Sequence, residues 1–224
     1  ALCWLTWTTT DGEVTITDCN TAASGELVIP DTIGGNPVTG IGVDAFRSCR
    51  NLTSITIPDS VTSIGNTAFA YCKGLTGITL PASVTSLGWR AFYACDVLTS
   101  VTFEEGSQLT SIGTSAFSGC SSLTSIAIPN SVTSIRDYAF SSCSSLTSIT
   151  FLGAAPTVGA DAFLNVADGA VAIILGEKHA SFGDVGTDWN GLTLDCIDDA
   201  LCWLTWTTTD GEVTITDCNT AASG

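Results

Sequence analysis

The sequence predicts a β-rich solenoid: short parallel strands joined by one-turn helical connectors, stacked coil on coil, with a β-hairpin as the N-terminal cap. Three observations carry this prediction. Ala-Phe pairs end at Phe46, Phe69, Phe92, Phe117, Phe140 and Phe163, giving intervals of 23, 23, 25, 23 and 23 residues, and a fixed period in this range marks a solenoid or array. In most periods a short alternating apolar run stops at or near a proline, as in LTSITIP at 52–58. The chain also opens with two alternating runs around Asp11-Gly12, the strongest short hairpin signal.

In a stack each coil touches only its neighbours, so the length of 224 residues counts coils and not domains. Residues 1–25 read as the capping hairpin, 26–175 as the solenoid, 176–199 as a C-terminal cap and junction, and 200–224 as the capping hairpin of a next tandem unit.

The hairpin comes first. A two-residue turn at Asp11-Gly12 pairs Thr10 with Glu13 and sets Leu5, Trp7, Val14 and Ile16 on one face, an apolar side to lay on the first coil. That register puts Cys3 and Cys19 on opposite faces and argues against a bridge between them. A degenerate coil follows, with Leu27, Ile29, Val38 and Ile41 in the places that later become regular and a widened turn at Gly34-Gly35 and Pro37.

The regular coil is read from residues 52–75. Ile55 and Ile57 have strand parity and point inward, Ser54 and Thr56 point outward, and Pro58, lacking an N–H, stops the ladder. Residues 61–64 form a second extended segment, and Gly65 is expected to turn the chain in a left-handed conformation. Ala68, Phe69 and Cys72 then share one face of a helical turn that returns the chain to Leu75. One coil cannot bury its Ile and Phe side chains alone, so columns of Phe, Leu and Ile supply the core. The two extra residues of the third interval fall at 104–108, where a surface bulge is expected. After Phe163 the pattern decays: 170–175 is a last apolar strand, and 177–196 is suited to covering the open end of the stack.

Residues 200–224 repeat residues 1–25 without a substitution, whereas the stretches 46–68 and 117–139 agree at 14 of 23 positions. The chain is therefore expected to be a window onto near-identical tandem units, each hairpin lying on the end of the preceding stack. Joined this way, the units form a fibre whose repeat is roughly 40 Å if stacking at about 4.8 Å per coil is unbroken.

The pattern L-x-x-I-x-I-P-x-x-V-x-x-I-G-x-x-A-F-x-x-C, carried by Leu52, Ile55, Ile57, Pro58, Val61, Ile64, Gly65, Ala68, Phe69 and Cys72, resembles the bacterial BspA-like leucine-rich repeat family. The resemblance covers about residues 26–175, with departures at Glu104, Arg136 and Val166. It implies a leucine-rich-repeat solenoid in a secreted or surface-attached protein used for adhesion and protein contact, and it transfers no catalytic residue.

Composition narrows the function classes. Six basic against 22 acidic residues give a formal charge of −16, which repels nucleic acid and anionic membrane and favours basic partners or divalent cations. No apolar run of 18 residues and no charged leader is present, so membrane insertion and a signal peptide are not expected. The chain has no methionine and starts at Ala1, so that start is expected to be a processed end or a cut through something longer.

Several residue sets invite chemistry. Cys49, Cys72, Cys95, Cys120 and Cys143 recur once per coil and read as a column of buried free thiols. Cys196, with Cys202 or Cys218, is a candidate disulfide joining one unit to the next in an oxidising compartment. Asp195, Asp198 and Asp199 are weak candidates for calcium, because the spacing of a calcium loop is absent. Ser54, Thr56, Thr79, Ser100 and Thr102 form an outward hydroxyl face for a protein or glycan, interrupted at Gly77 and Ala127; the bland alternative is that Thr simply suits an exposed strand. Trp4, Trp7, Val14 and Ile16, with Trp203, Trp206, Val213 and Ile215 in the second copy, are the candidate assembly interface. The single histidine, His179, has no nucleophile at a recognisable spacing. The expectation is a non-enzymatic, extracellular protein without a cofactor, whose partners are copies of itself end to end and other cell-surface proteins.

Overall fold

The computed structural model describes residues 2–175, 179–183, 186–196, 204–209 and 212–218, with the backbone alone for 2, 179, 180, 204–209 and 212–218. The chain opens with a 3-10 turn (Leu2–Trp4) and the hairpin β1 (Leu5–Thr10) and β2 (Glu13–Cys19). Coils follow as β3 (Ser24–Val28), β4 (Thr32–Ile33) and β5 (Asn36–Ile41); β6 (Asn51–Thr56) and β7 (Ser63–Ile64); and β8 (Gly77–Leu80) and β9 (Ser86–Leu87). Next come β10 (Ser100–Phe103) and β11 (Ser111–Ile112), β12 (Ser125–Ile128) and β13 (Ser134–Ile135), and β14 (Ser148–Phe151) and β15 (Thr157–Val158). β16 (Val171–Ile174), the helical turn α1 (His179–Phe182), β17 (Asp188–Trp189) and β18 (Leu192–Cys196) precede a second hairpin, β19 (Leu204–Thr209) and β20 (Glu212–Cys218).

The first strand of each coil stacks in parallel on the first strand of the next, from β3 through β6, β8, β10, β12, β14 and β16 to β18, and the second strands stack from β2 through β15. The result is a β-solenoid of about eight turns, as the sequence predicts. Ile55 and Ile57 are buried and Thr56 is exposed, so the alternation of apolar and hydroxyl side chains sets which face turns inward. Between the strand columns, Phe46, Phe69, Phe92, Phe117, Phe140 and Phe163 stack face over face, centroids 5.0–5.6 Å apart and planes within 7°. That spacing is close to the strand separation of about 4.8 Å, so one ring per coil fills the core.

The connectors are not the helical turns that spacing suggests. In 65–74 the N–H groups of Ala68, Ala70 and Cys72 close short turns onto Gly65, Thr67 and Phe69, while those of Thr67, Phe69 and Tyr71 donate forward to Trp89, Ala91 and Tyr93 of the next coil at 2.7–2.8 Å. A helix needs every N–H pointing along one local axis; here alternate groups serve the stack. The backbone accommodates this by entering the left-handed region at Asp44, Thr67, Arg90, Ser115, Tyr138 and Asp161, and again two residues after each phenylalanine. Gly65 itself is not left-handed. A Cβ there would stand 2.7 Å from the Gly42 and Val43 backbone, and one at Gly88 would stand 2.5 Å from Gly65 and Asn66. The glycine column lets successive coils approach, and ordinary residues absorb the turn.

The hairpin also differs in detail. Thr10 pairs with Glu13 as expected, with Asp11 and Gly12 at φ 52° and 81°. A bulge between Thr6 and Trp7 then shifts the register and pairs Leu5 with Cys19. Leu5, Val14 and Ile16 are buried, but Trp7 remains 36% exposed. β2 does more than lie on the first coil: it pairs in parallel with β5 and is the first rung of the second column. Gly34 and Gly35, at φ 61° and 83°, turn β4 back onto β5. The insertion at 104–108 is a surface turn with Gly106 at φ 76° and the Ser107 N–H on the Glu104 carbonyl.

At the far end β16 is not the last strand. β18 adds a further parallel rung, and β17 folds back antiparallel along it. Phe182 and Trp189 pack on Phe151, and Trp189 also reaches Phe163, the last ring of the column.

Candidate functional site

The outward hydroxyls gather where the column is interrupted. Ser54, Thr56, Thr79, Ser100 and Thr102 line one shallow cleft of about 490 Å³, with Asp59 and Glu104 beside them. Parallel pairing sets Ser100 opposite Gly77 and Thr102 opposite Thr79. Gly77 makes the cleft: a Cβ there would stand 2.7 Å from the Ser100 Oγ. The gap that weakened the sequence pattern therefore concentrates hydroxyls and two carboxylates around a concave floor.

Other threonines are consumed by the fold. Thr62, Thr85 and Thr133 each donate both N–H and Oγ1–H to one carbonyl of the preceding coil, on Thr39, Thr62 and Thr110, and Thr76, Thr99 and Thr147 do the same on Thr53, Thr76 and Thr124. These hydroxyls are structural.

The recurring cysteines are buried and free. Their thiols donate to carbonyls of the preceding coil: Cys72 to Phe46, Cys95 to Phe69, Cys120 to Phe92 and Cys143 to Phe117, at 3.0–3.2 Å. Burial pushes Cys143 up to about 12 and also raises Cys72 and Cys120. Cys19 is raised first by its hydrogen bond with Cys49 and then by burial. Thiols held this way are poor nucleophiles.

Cys3, in the 3-10 turn before β1, is exposed and Cys19 is buried, and both are free. Cys196 is disulfide-bonded. Cys202 lies outside the described residues and Cys218 is described in backbone only. Of the calcium candidates, Asp195 is exposed and its Oδ1 accepts the Cys196 N–H at 2.8 Å, while Asp198 and Asp199 lie outside the described residues. Among the described residues no three His, Cys, Asp or Glu side chains converge. Val14 and Ile16 face the core of their own unit, which leaves Trp7 as the accessible aromatic of that set and Trp4 partly covered. Trp203 lies outside the described residues, as do the side chains of Trp206, Val213, Ile215 and His179.

One cluster escaped the sequence reading. Arg90 lies 4.4 Å from the centroid of Trp89 and 4.7 Å from that of Tyr93, Arg47 lies 5.8 Å from that of Tyr71, and Tyr71 and Tyr93 meet edge to face. The Arg90 Nε is buried without a hydrogen-bond partner. The signal was the coil period itself, since Trp89 and Arg90 follow Gly88 as Asn66 and Thr67 follow Gly65.

Comparison with known proteins sets these features in a family. The model of the BspA type leucine rich repeat region matches residues 39–168 in six copies. The chain belongs to this family. Among solved structures, the BspA-type coil stack is similar to the leucine rich repeat protein of T. pallidum (26% identity, TM-score 0.61, covering 90% of this chain and 91% of that one). It is also similar to a leucine rich cell surface protein of Faecalibacterium prausnitzii (26% identity, TM-score 0.54), covering 95% of this chain and 59% of that one. The pneumococcal vaccine antigen PcpA shares the fold at 23% identity and a TM-score of 0.51, over 66% of this chain and 48% of that one. No curated protein matches the chain. Among the described residues no helix is long and apolar enough to cross a membrane.

Proposed function

We propose that this chain is a structural repeat unit of an extracellular filament, without enzymatic activity, in which tandem leucine-rich-repeat units join end to end. The observation that carries this reading is the second hairpin. β19 and β20 pair from Leu204 with Cys218 to Thr209 with Glu212, with a bulge between Thr205 and Trp206, which is the register and the bulge of β1 and β2 shifted by one unit. A hairpin that starts a stack in one place starts the next in the other. A bridge from Cys196 to Cys202 or Cys218 would lock the junction.

A polypeptide of several units imaged by negative-stain microscopy should form thin unbranched rods. Eight rungs at about 4.8 Å give an axial repeat of roughly 40 Å for continuous stacking. Compact globules connected by visible gaps would defeat the proposal.

A second reading, adhesion, is favoured by the hydroxyl cleft at Gly77. Converging hydroxyls and carboxylates suit a polyhydroxylated or amide-rich ligand on a glycan or protein surface. Gly77→Ser fills the cleft against a mobile side-chain oxygen and should abolish cell attachment while leaving rod formation unchanged. Equal attachment by the variant rejects the cleft as the contact.

A further inference from the structure

We propose that the connector edge of the solenoid is a self-complementary lateral surface on which a second copy of this chain lies antiparallel to the first. Hydrogen bonds from coil to coil define the edge: the Thr67 N–H donates to Trp89, Arg90 to Thr114, Ser115 to Asp137 and Tyr138 to Ala160. Side chains on this ladder therefore form a row with one step per coil.

The row is polarised. In the first three connectors Arg47, Arg50, Lys73 and Arg90 outweigh Asp44 and Asp96, for a formal charge of +2. The fourth connector, residues 113–122, carries no charge and presents small residues such as Ser118 and Gly119. In the fifth and sixth, Asp137, Asp161 and Asp168 outweigh Arg136, for a formal charge of −2. A two-fold axis through the fourth connector sets the third of one copy against the fifth of the other, and the second against the sixth. Such an interface is isologous, every contact being made twice.

The pairing brings the right groups together. Arg90, stacked between Trp89 and Tyr93 and hydrogen-bonded to nothing at its Nε, faces Asp137 of the second copy. In the second connector the Tyr71 ring, over which Arg47 of the first connector reaches, faces the sixth. The same edge holds four of the large apolar residues left exposed among those described: Val43 at 60%, Trp89 at 44%, Tyr138 at 42% and Leu164 at 45%. Trp89 of the third connector and Tyr138 of the fifth meet across the axis. Trp, Tyr and Arg are also the side chains that dominate protein interfaces. One unit offers a short contact; tandem units repeat it and gain avidity.

Sedimentation velocity of the full chain tests this. A closed dimer is expected at physiological ionic strength, where the repulsion between two copies of formal charge −16 is largely screened while charges in direct contact are screened much less. Arg90→Asp and Asp137→Arg should each abolish the dimer, and the two together should restore it. A monomer at physiological salt and high concentration, a dimer indifferent to both charge swaps, or a double variant that stays monomeric overturns the proposal. Open-ended growth unaffected by these substitutions overturns it too, while leaving end-to-end joining intact.

Discussion

Four cysteines of the internal column donate a hydrogen bond to a phenylalanine carbonyl one coil back, as with Cys72 on Phe46 and Cys143 on Phe117, and Cys49 donates to the Cys19 carbonyl. Burial holds the Cys72, Cys120 and Cys143 thiols neutral, with Cys143 raised from 9.0 to about 12. The sign of the linkage follows. An unfolded thiol ionises near its ordinary value while the folded one stays protonated, so its contribution is complete below about pH 9 and is lost as pH rises toward the folded value. Denaturant midpoints recorded from pH 7 to 11 should fall steadily above pH 9, and a Cys143→Ala chain should fall less steeply. That the thiols are buried was legible from one cysteine per period. Their direction was not, since it depends on where the connector carbonyls point.

The connector was the element least legible in the sequence. Ala-Phe-x-x-Cys spacing satisfies a helical turn locally, but satisfying the next coil's carbonyls is worth more, because an unpaired buried N–H costs about 1–3 kcal/mol. Glycine was likewise assigned a torsional role when its role is steric. Gly88 admits no Cβ against the backbone of Gly65 and Asn66. Gly88→Ala should therefore cost about 1–3 kcal/mol of unfolding free energy, measured by chemical denaturation. Arg136, at the corresponding place in the fifth coil, lies exposed, so the column yields to a side chain at a cost instead of forbidding one. The strands were read correctly because Ile55, Ile57 and Thr56 obey a two-residue alternation that neighbours do not override.

At the scale of the molecule the sequence announces whatever repeats and hides whatever does not. Six phenylalanines disclosed the stack. β17 and β18 occur once, match no period, and became visible only in three dimensions, where Trp189 meets Phe151 and Phe163. The candidate site follows the same logic: the hydroxyl column was legible, while the cleft at Gly77 and the Arg90 cluster are exceptions within columns and could not be ranked without neighbours in space.

Five connectors each send three N–H groups toward the C-terminal end, fifteen bonds of 2.7–3.0 Å with one sense. Peptide dipoles aligned head to tail add, as they do in a helix. The connector edge is thereby electrically oriented, positive toward its C-terminal end, while the strand columns, where Thr62, Gly65, Thr85 and Gly88 donate to the preceding coil, carry bonds of the opposite sense. The two senses run side by side and oppose one another, so a rod carries its polarity across its width, from one edge to the other, and little of it from tip to tip.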